Sequence, residues 1–349
     1  MARVSDSPMS AARFTGPSRH FDGPHRCSKV FAVVLLIFSG CAGHRPSDSG
    51  TGYSKTSEVQ VVRVIGNEFV HDPAAPASSA ALLEAPVALA VAPNGDLVIA
   101  DRQSGQIFKT DASGNLLASA AYFDPRGLSS TRAPRFVRID YTGNVCVSDA
   151  VNPRITIYDS RLRPVSSLAP PYDALNLPEG SISGLAFGSY GEFYMADQLN
   201  GRIYRFDASG RFIADFQSEG GSLTQLSRPQ GLACADLDGA IYVCESGNSQ
   251  IIVFDNLGAP IRTFGGSELR EPVAVALDRQ GRCFVADAAG DAVVVFNREG
   301  QFLDRIDAGR IGFADFAAPS DVCISDSTLY IADPSHGRIL HIRFAAPAP

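Results

Sequence analysis

The chain has 349 residues, 45% of them apolar, and a formal charge of −7, which is enough apolar material for a large core. The first forty residues carry five basic and two acidic side chains, so the remainder holds −7 − 3 = −10. With only Lys55 and Lys109 as lysines beyond that point, the surface argues against nucleic acid as a partner, because phosphate contacts need a basic face.

Taken in order, Arg13, Arg19, Arg26 and Lys29 form a basic leader, and residues 30–38 (VFAVVLLIF) form an apolar run too short to span a membrane as a mature helix. Ser39, Gly40 and Cys41 follow. This is the layout of a signal peptide. Its ending resembles a bacterial lipobox, although Phe38 stands where Leu, Val or Ile is usual. The resemblance implies acylation of Cys41, with residues 1–41 as leader and lipidation site; plain secretion with cleavage near Ala42 is the alternative. Ala42, rather than Asp, after the cysteine implies the outer membrane if the cell is Gram-negative. Residues 42–57 are a Ser/Gly-rich tether with nothing to pack.

Residues 58–65 (EVQVVRVI) alternate as a strand does, and from residue 86 onward the chain repeats itself. The unit is clearest in residues 191–212, GEFYMADQLNGRIYRFDASGRF. Two apolar alternating runs, 192–196 and 202–206, are joined by polar loops, and a third strand opens at 211. The acidic residue closing the first run recurs as Asp101, Asp149, Asp197, Glu245, Asp287 and Asp333, at intervals of 48, 48, 48, 42 and 46. Fourteen to sixteen residues upstream stand Pro86, Pro134, Pro229, Pro272 and Pro319, with Ile182 in the third unit. Four strands in about 45 residues is the size of a propeller blade.

The expected fold is therefore all-β: a six-bladed β-propeller of four-stranded blades over residues 58–349. The blades are 86–121, 134–168, 182–216, 229–264, 272–306 and a sixth supplied by 320–325, 328–332 and 338–344. That last unit lacks a fourth strand, and residues 58–65 are expected to complete it, closing the ring without an open edge. Pro229, Gly231, Leu232, Ala233, Asp238, Gly239, Tyr242 and Val243, with Asp197, Arg202, Ile203, Phe206, Asp207 and Gly210, resemble the repeat of the NHL family of β-propellers. The resemblance implies the fold and leaves the activity open, since one fold hosts many functions.

The recurrent carboxylates are read as turn formers that accept backbone N–H bonds. Arg154, Arg202 and Arg338 recur likewise and serve the shared unit. Function belongs in the exceptions. Two and four places after each proline the residues are mostly small, as expected near a crowded axis, but Phe136, Arg138 and Asp321 break that pattern. One reading has Arg135, Arg138 and Asp321 projecting polar groups into the central channel; the other has a local ion pair that fills space.

Links between blades are long (123–133, 169–181 and 307–318) and the turns on the opposite side are short, so a ligand or partner is expected on the long-link face. Arg135, Arg138, Asp321 and His336 are the candidate binding residues, with the arginines favouring an anionic group. The expected partner is an unidentified protein or a small anionic ligand.

Cys146, Cys234, Cys244, Cys283 and Cys323 fall in strands as small hydrophobes. A bridge between Cys234 and Cys244 is one reading and two packed thiols the other. No cofactor or metal is expected: there is no C-x-x-C, and two loop histidines, His71 and His336, with His341 in a strand, do not make the three-histidine zinc site of NHL-like lyases. The expectation is a monomeric binding or scaffold module, lipid-anchored outside the cytoplasm. The alternative is a hydrolase, lactonase or lyase that uses a metal in the channel.

Overall fold

A computed structural model describes residues 59–66, 83–123, 134–149, 151–216 and 226–344. The leader with Cys41, the tether and His71 lie outside the described residues. Among those residues, twenty-four strands form six antiparallel sheets of four. Each sheet is one blade, and its strands follow one another in sequence except in the sixth. The first strands are Pro86–Val91, Pro134–Ile139, Ile182–Phe187, Pro229–Cys234, Pro272–Leu277 and Asp321–Ser325. Each touches the first strand of the next blade, and the sixth touches the first, so these strands ring a common axis.

Alternate residues of a strand point to opposite faces, and in a propeller both faces of a blade meet a neighbour. That is why the second and third strands are apolar almost throughout. Cys283–Asp287 and Ala292–Phe296, for instance, are buried at every position. The core is divided accordingly into six clusters, one in each seam between neighbouring blades. Each large side chain fully buried in a seam contributes about 1.5–3 kcal/mol relative to exposure. The fourth strands lie outside and are correspondingly exposed, as in Leu116–Ala121 and Pro164–Leu168.

The ring closes as the repeat predicts. Val59–Ile65 pairs antiparallel with Arg338–Phe344, from Val59 opposite Phe344 to Ile65 opposite Ile339, and Ile65 is buried in the seam between blades six and one. The edge that blade six would otherwise expose is thereby covered.

In blades one, three, four and five the recurrent carboxylate holds the blade to the link that enters it. Asp101 accepts from the backbone of Glu84 (2.8 Å), Ala85 (3.0 Å) and Ser104 (3.0 Å), and Glu245 accepts from Ser227 (3.0 Å) and Arg228 (2.7 Å). One element was not foreseen. The link after blade five contains a helical turn, Ala308–Ile311, whose N-cap Asp307 accepts from the backbone of Arg310 and whose end is Gly312 at φ 75°. One turn is too short to leave a helical period in the sequence, although both capping residues are ordinary.

Candidate functional site

The walls of the axis are asymmetric. A Cβ added to Gly184 would lie 2.1 Å from the Gln230 carbonyl oxygen, and one on Gly231 would lie 2.6 Å from Ala274 Cα. The first strands of blades three, four and five therefore approach backbone to backbone, which only glycine allows. Blade two does the reverse and places Arg135, Phe136 and Arg138 there. Phe136 is buried in one cluster with Ala274 of blade five and Val322 of blade six, so its ring crosses the axis.

Deeper along the same strand, Arg138 meets Asp321 of blade six. Its Nη1 and Nη2 donate to Oδ2 and Oδ1 at 2.9 and 3.1 Å. Asp321 is wholly buried and also accepts from the backbone N–H groups of Leu89 (3.0 Å) and Val322 (2.9 Å). Arg138 donates in addition to the carbonyls of Val137 (2.8 Å) and Leu89 (3.3 Å) and lies 5.3 Å over the Phe136 ring. Burial alone would lower its pKa, but the charge and hydrogen bonds of Asp321 outweigh this and leave it raised. Each group is the other's partner. Of the two readings of Arg138 and Asp321, the geometry fits the ion pair, which runs from blade two to blade six across the first strand of blade one, beside Phe136.

Arg135 is different. It lies at the start of its strand, on the long-link face, and donates to Ser181 Oγ (3.2 Å), Gln198 Oε1 (2.8 Å) and Gln230 Oε1 (3.1 Å). All three acceptors are neutral. No carboxylate among the described residues lies within 4 Å of its guanidinium. Burial, with repulsion from Arg102 and Arg228, lowers its pKa to about 10. Arg228 is neutralised by Glu271 at 2.5 Å, whereas Arg102 is exposed and meets no carboxylate among the described residues. The mouth therefore holds two uncompensated cations framed by amide and hydroxyl groups, an arrangement suited to a carboxylate, sulfate or phosphate oxygen.

His336 stands apart, at the rim of the seam between blades six and one. Its Nδ1 is 3.0 Å from Asp333 Oδ1 and its Nε2 is 3.7 Å from Asp315 Oδ2. Arg338 joins the same two carboxylates, at 2.8 Å to Asp333 and 2.9 Å to Asp315. These four groups satisfy one another, and His336 fills the place where blades two and three have Asn152 and Asn200 against Asp149 and Asp197.

Arg102, Ser181, Gln198 and Gln230 were not singled out from the sequence, although a signal existed. Arg102 and Gln198 each directly follow the recurrent acidic residue, and Gln230 holds in blade four the place of Arg135 in blade two. All five cysteines of the described strands are free thiols. Cys234 lies opposite Ile241 and packs in the seam of blades three and four, while Cys244 packs in that of blades four and five; they face away from one another and cannot bridge. Among the described residues no three His, Cys, Asp or Glu side chains gather as metal ligands.

No protein-family model matches the chain. Among curated proteins it is similar to Protein brain tumor of Drosophila melanogaster, 33% identical over 124 residues. That match covers 35% of this chain and 12% of the relative, so it speaks for a part of that protein only. Among solved structures it is similar to a putative gluconolactonase, with a TM-score of 0.59 and 13% identity over 83% of this chain and 92% of that one. It is also similar to virginiamycin B lyase from Staphylococcus aureus, with a TM-score of 0.56 and 14% identity over 76% of this chain and 97% of that one. At such identities the structures speak for fold alone. The curated match is consistent with repeats of the NHL type, and the chain is a six-bladed β-propeller.

Proposed function

We propose that this propeller is a binding module that takes an anionic group of a small ligand or a protein at the long-link mouth of its axis. The observation that carries the reading is Arg135: a largely buried guanidinium that has only neutral oxygens as partners and is repelled by two neighbouring arginines. A cation held this way gains more from a bound anion than it does from solvent. Phe136 and the Arg138–Asp321 pair form the floor beneath it, so the ligand rests at the mouth and does not thread the channel. The leader supports a place outside the cytoplasm, held by lipid on Cys41.

Catalysis by a channel metal, the alternative, needs free ligating side chains at the axis. Asp321 was the candidate, and four donors from Arg138, Leu89 and Val322 already occupy it. The test is thermal unfolding in sodium chloride and in sodium sulfate at equal ionic strength. Sulfate should raise the wild-type midpoint further than it raises that of Arg135→Gln. An equal rise in both proteins would overturn the reading.

A further inference from the structure

On the opposite, short-turn face the seam between blades two and three opens into a cavity of about 240 Å³. Its origin can be traced around the ring. One register-equivalent position of the fourth strand points into each seam, and it is occupied by Ala120, Leu168, Phe216, Phe264, Ile306 and Ile65 in blades one to six. In several seams that side chain meets a turn glycine of the next blade. A Cβ on Gly258 would lie 2.7 Å from Phe216, one on Gly300 2.6 Å from Phe264, and one on Gly114 3.2 Å from Ile65. Where the fourth-strand residue is the small Ala120, the next blade instead carries Leu162 at the turn, in the left-handed region at φ 60°, and buries it in the seam. Between blades two and three neither side is filled. Leu168 stands where blades three and four have phenylalanine, the turn residue is Gly210, and even a Cβ added there would lie 3.8 Å from Leu168.

The space left is mostly apolar. Leu185, Phe187 and Met195 line it. Asp140 is the single acidic residue of the wall, and its carboxylate is taken by Thr142 (2.7 Å to the hydroxyl) and Asn144 (2.8 Å to the backbone N–H, 3.0 Å to Nδ2). No lysine, arginine or histidine joins it. Asn144 uses Nδ2 toward Asp140 and Thr142 and keeps Oδ1 as an acceptor at the rim. A Leu/Ile/Phe-lined cavity of about 150 Å³ is enough to take benzene.

We propose that this seam binds a small uncharged aromatic molecule of one or two rings. The rings pack on Phe187 and Met195, and one N–H or O–H donor of the ligand meets Asn144 Oδ1. The site is on the other face from Arg135 and does not depend on the anion reading.

The probe is 1-naphthylamine, which has two fused rings, is neutral at pH 7, offers an N–H donor and changes its fluorescence when it leaves water. Wild-type protein should show saturable fluorescence. Because Met195 is the only methionine besides Met1 and Met9, its ¹³C-labelled methyl signal should shift as the probe is added. Leu168→Phe, which restores the filling of the next two seams, should weaken binding at least tenfold while the unfolding midpoint stays equal or rises. Absence of saturable binding, saturation that leaves the Met195 methyl unmoved, or equal affinity in a folded Leu168→Phe protein would each overturn the proposal.

Discussion

Replacing Asp321 by Ala removes the carboxylate that pairs with the Arg138 guanidinium. The wild-type carboxylate is fully buried and Arg138 exposes only 16% of its side chain, so water cannot replace the lost partner. The substitution leaves a buried charge without a counter-charge, and it leaves the Leu89 N–H without its acceptor at 3.0 Å. Breaking a buried pair from one side costs about 3–5 kcal/mol, and an orphaned backbone donor accounts for about 1–3 kcal/mol of that. For a domain of this size the midpoint should fall by roughly 10 °C, read by circular dichroism on heating and by urea unfolding. Arg138→Met combined with Asp321→Ala removes both charges and should recover part of the loss, because a neutral interior no longer strands an ion. A loss below about 1 kcal/mol in Asp321→Ala, or a double variant no more stable than that single one, would refute the assignment of the pair as a coupled plug of the axis.

Three further outcomes are expected. Cys41→Ser should move the protein from the membrane to the soluble fraction on cell fractionation; undiminished membrane association would argue against the lipid anchor. Deleting residues 58–65 should uncover the Arg338–Phe344 edge and remove Ile65 from the last seam, so the protein should aggregate and unfold at lower temperature; an unchanged midpoint and a monodisperse elution profile would contradict the closure. Arg135→Gln should leave the midpoint in chloride within a few degrees of wild type, because a neutral amide replaces a cation whose pKa is lowered to about 10 by burial and like charge. A collapse of the fold in that variant would mean that Arg135 is a structural brace.

The fold was legible because every blade carries the same marks: a proline or its equivalent, a carboxylate about fifteen residues on, and glycine at the turns. These survive in sequence because each has a local backbone reason. Closure by residues 58–65 was legible from arithmetic, one strand short at one end and one spare at the other. The site was legible only in part. Arg138 departed from the small residues at its position, while Arg135 is simply the one charged residue among its equivalents, and nothing local distinguishes their roles. Arg138 finds a carboxylate 183 residues away, whereas Arg135 meets the neutral oxygens of Ser181, Gln198 and Gln230, and only the ring geometry decides between the two. The pairing of His336 with Asp315 was not legible, because Asp315 lies in the link that precedes the blade. The cavity lies where Leu168 stands in place of the phenylalanine that the next two seams have. That difference is visible only once the strand registers are aligned, and its meaning comes from the turn it faces in the next blade.

The central claim is that Arg135 forms an anion site at the mouth of the axis. The most direct measurement is a crystal structure of the protein soaked in selenate, with data collected at the selenium absorption edge. The account predicts an anomalous peak within hydrogen-bonding distance of the Arg135 guanidinium on the long-link face, absent from the Arg135→Gln crystal. A mouth without selenate in the wild-type crystal, or a peak that persists unchanged in the variant, would contradict it.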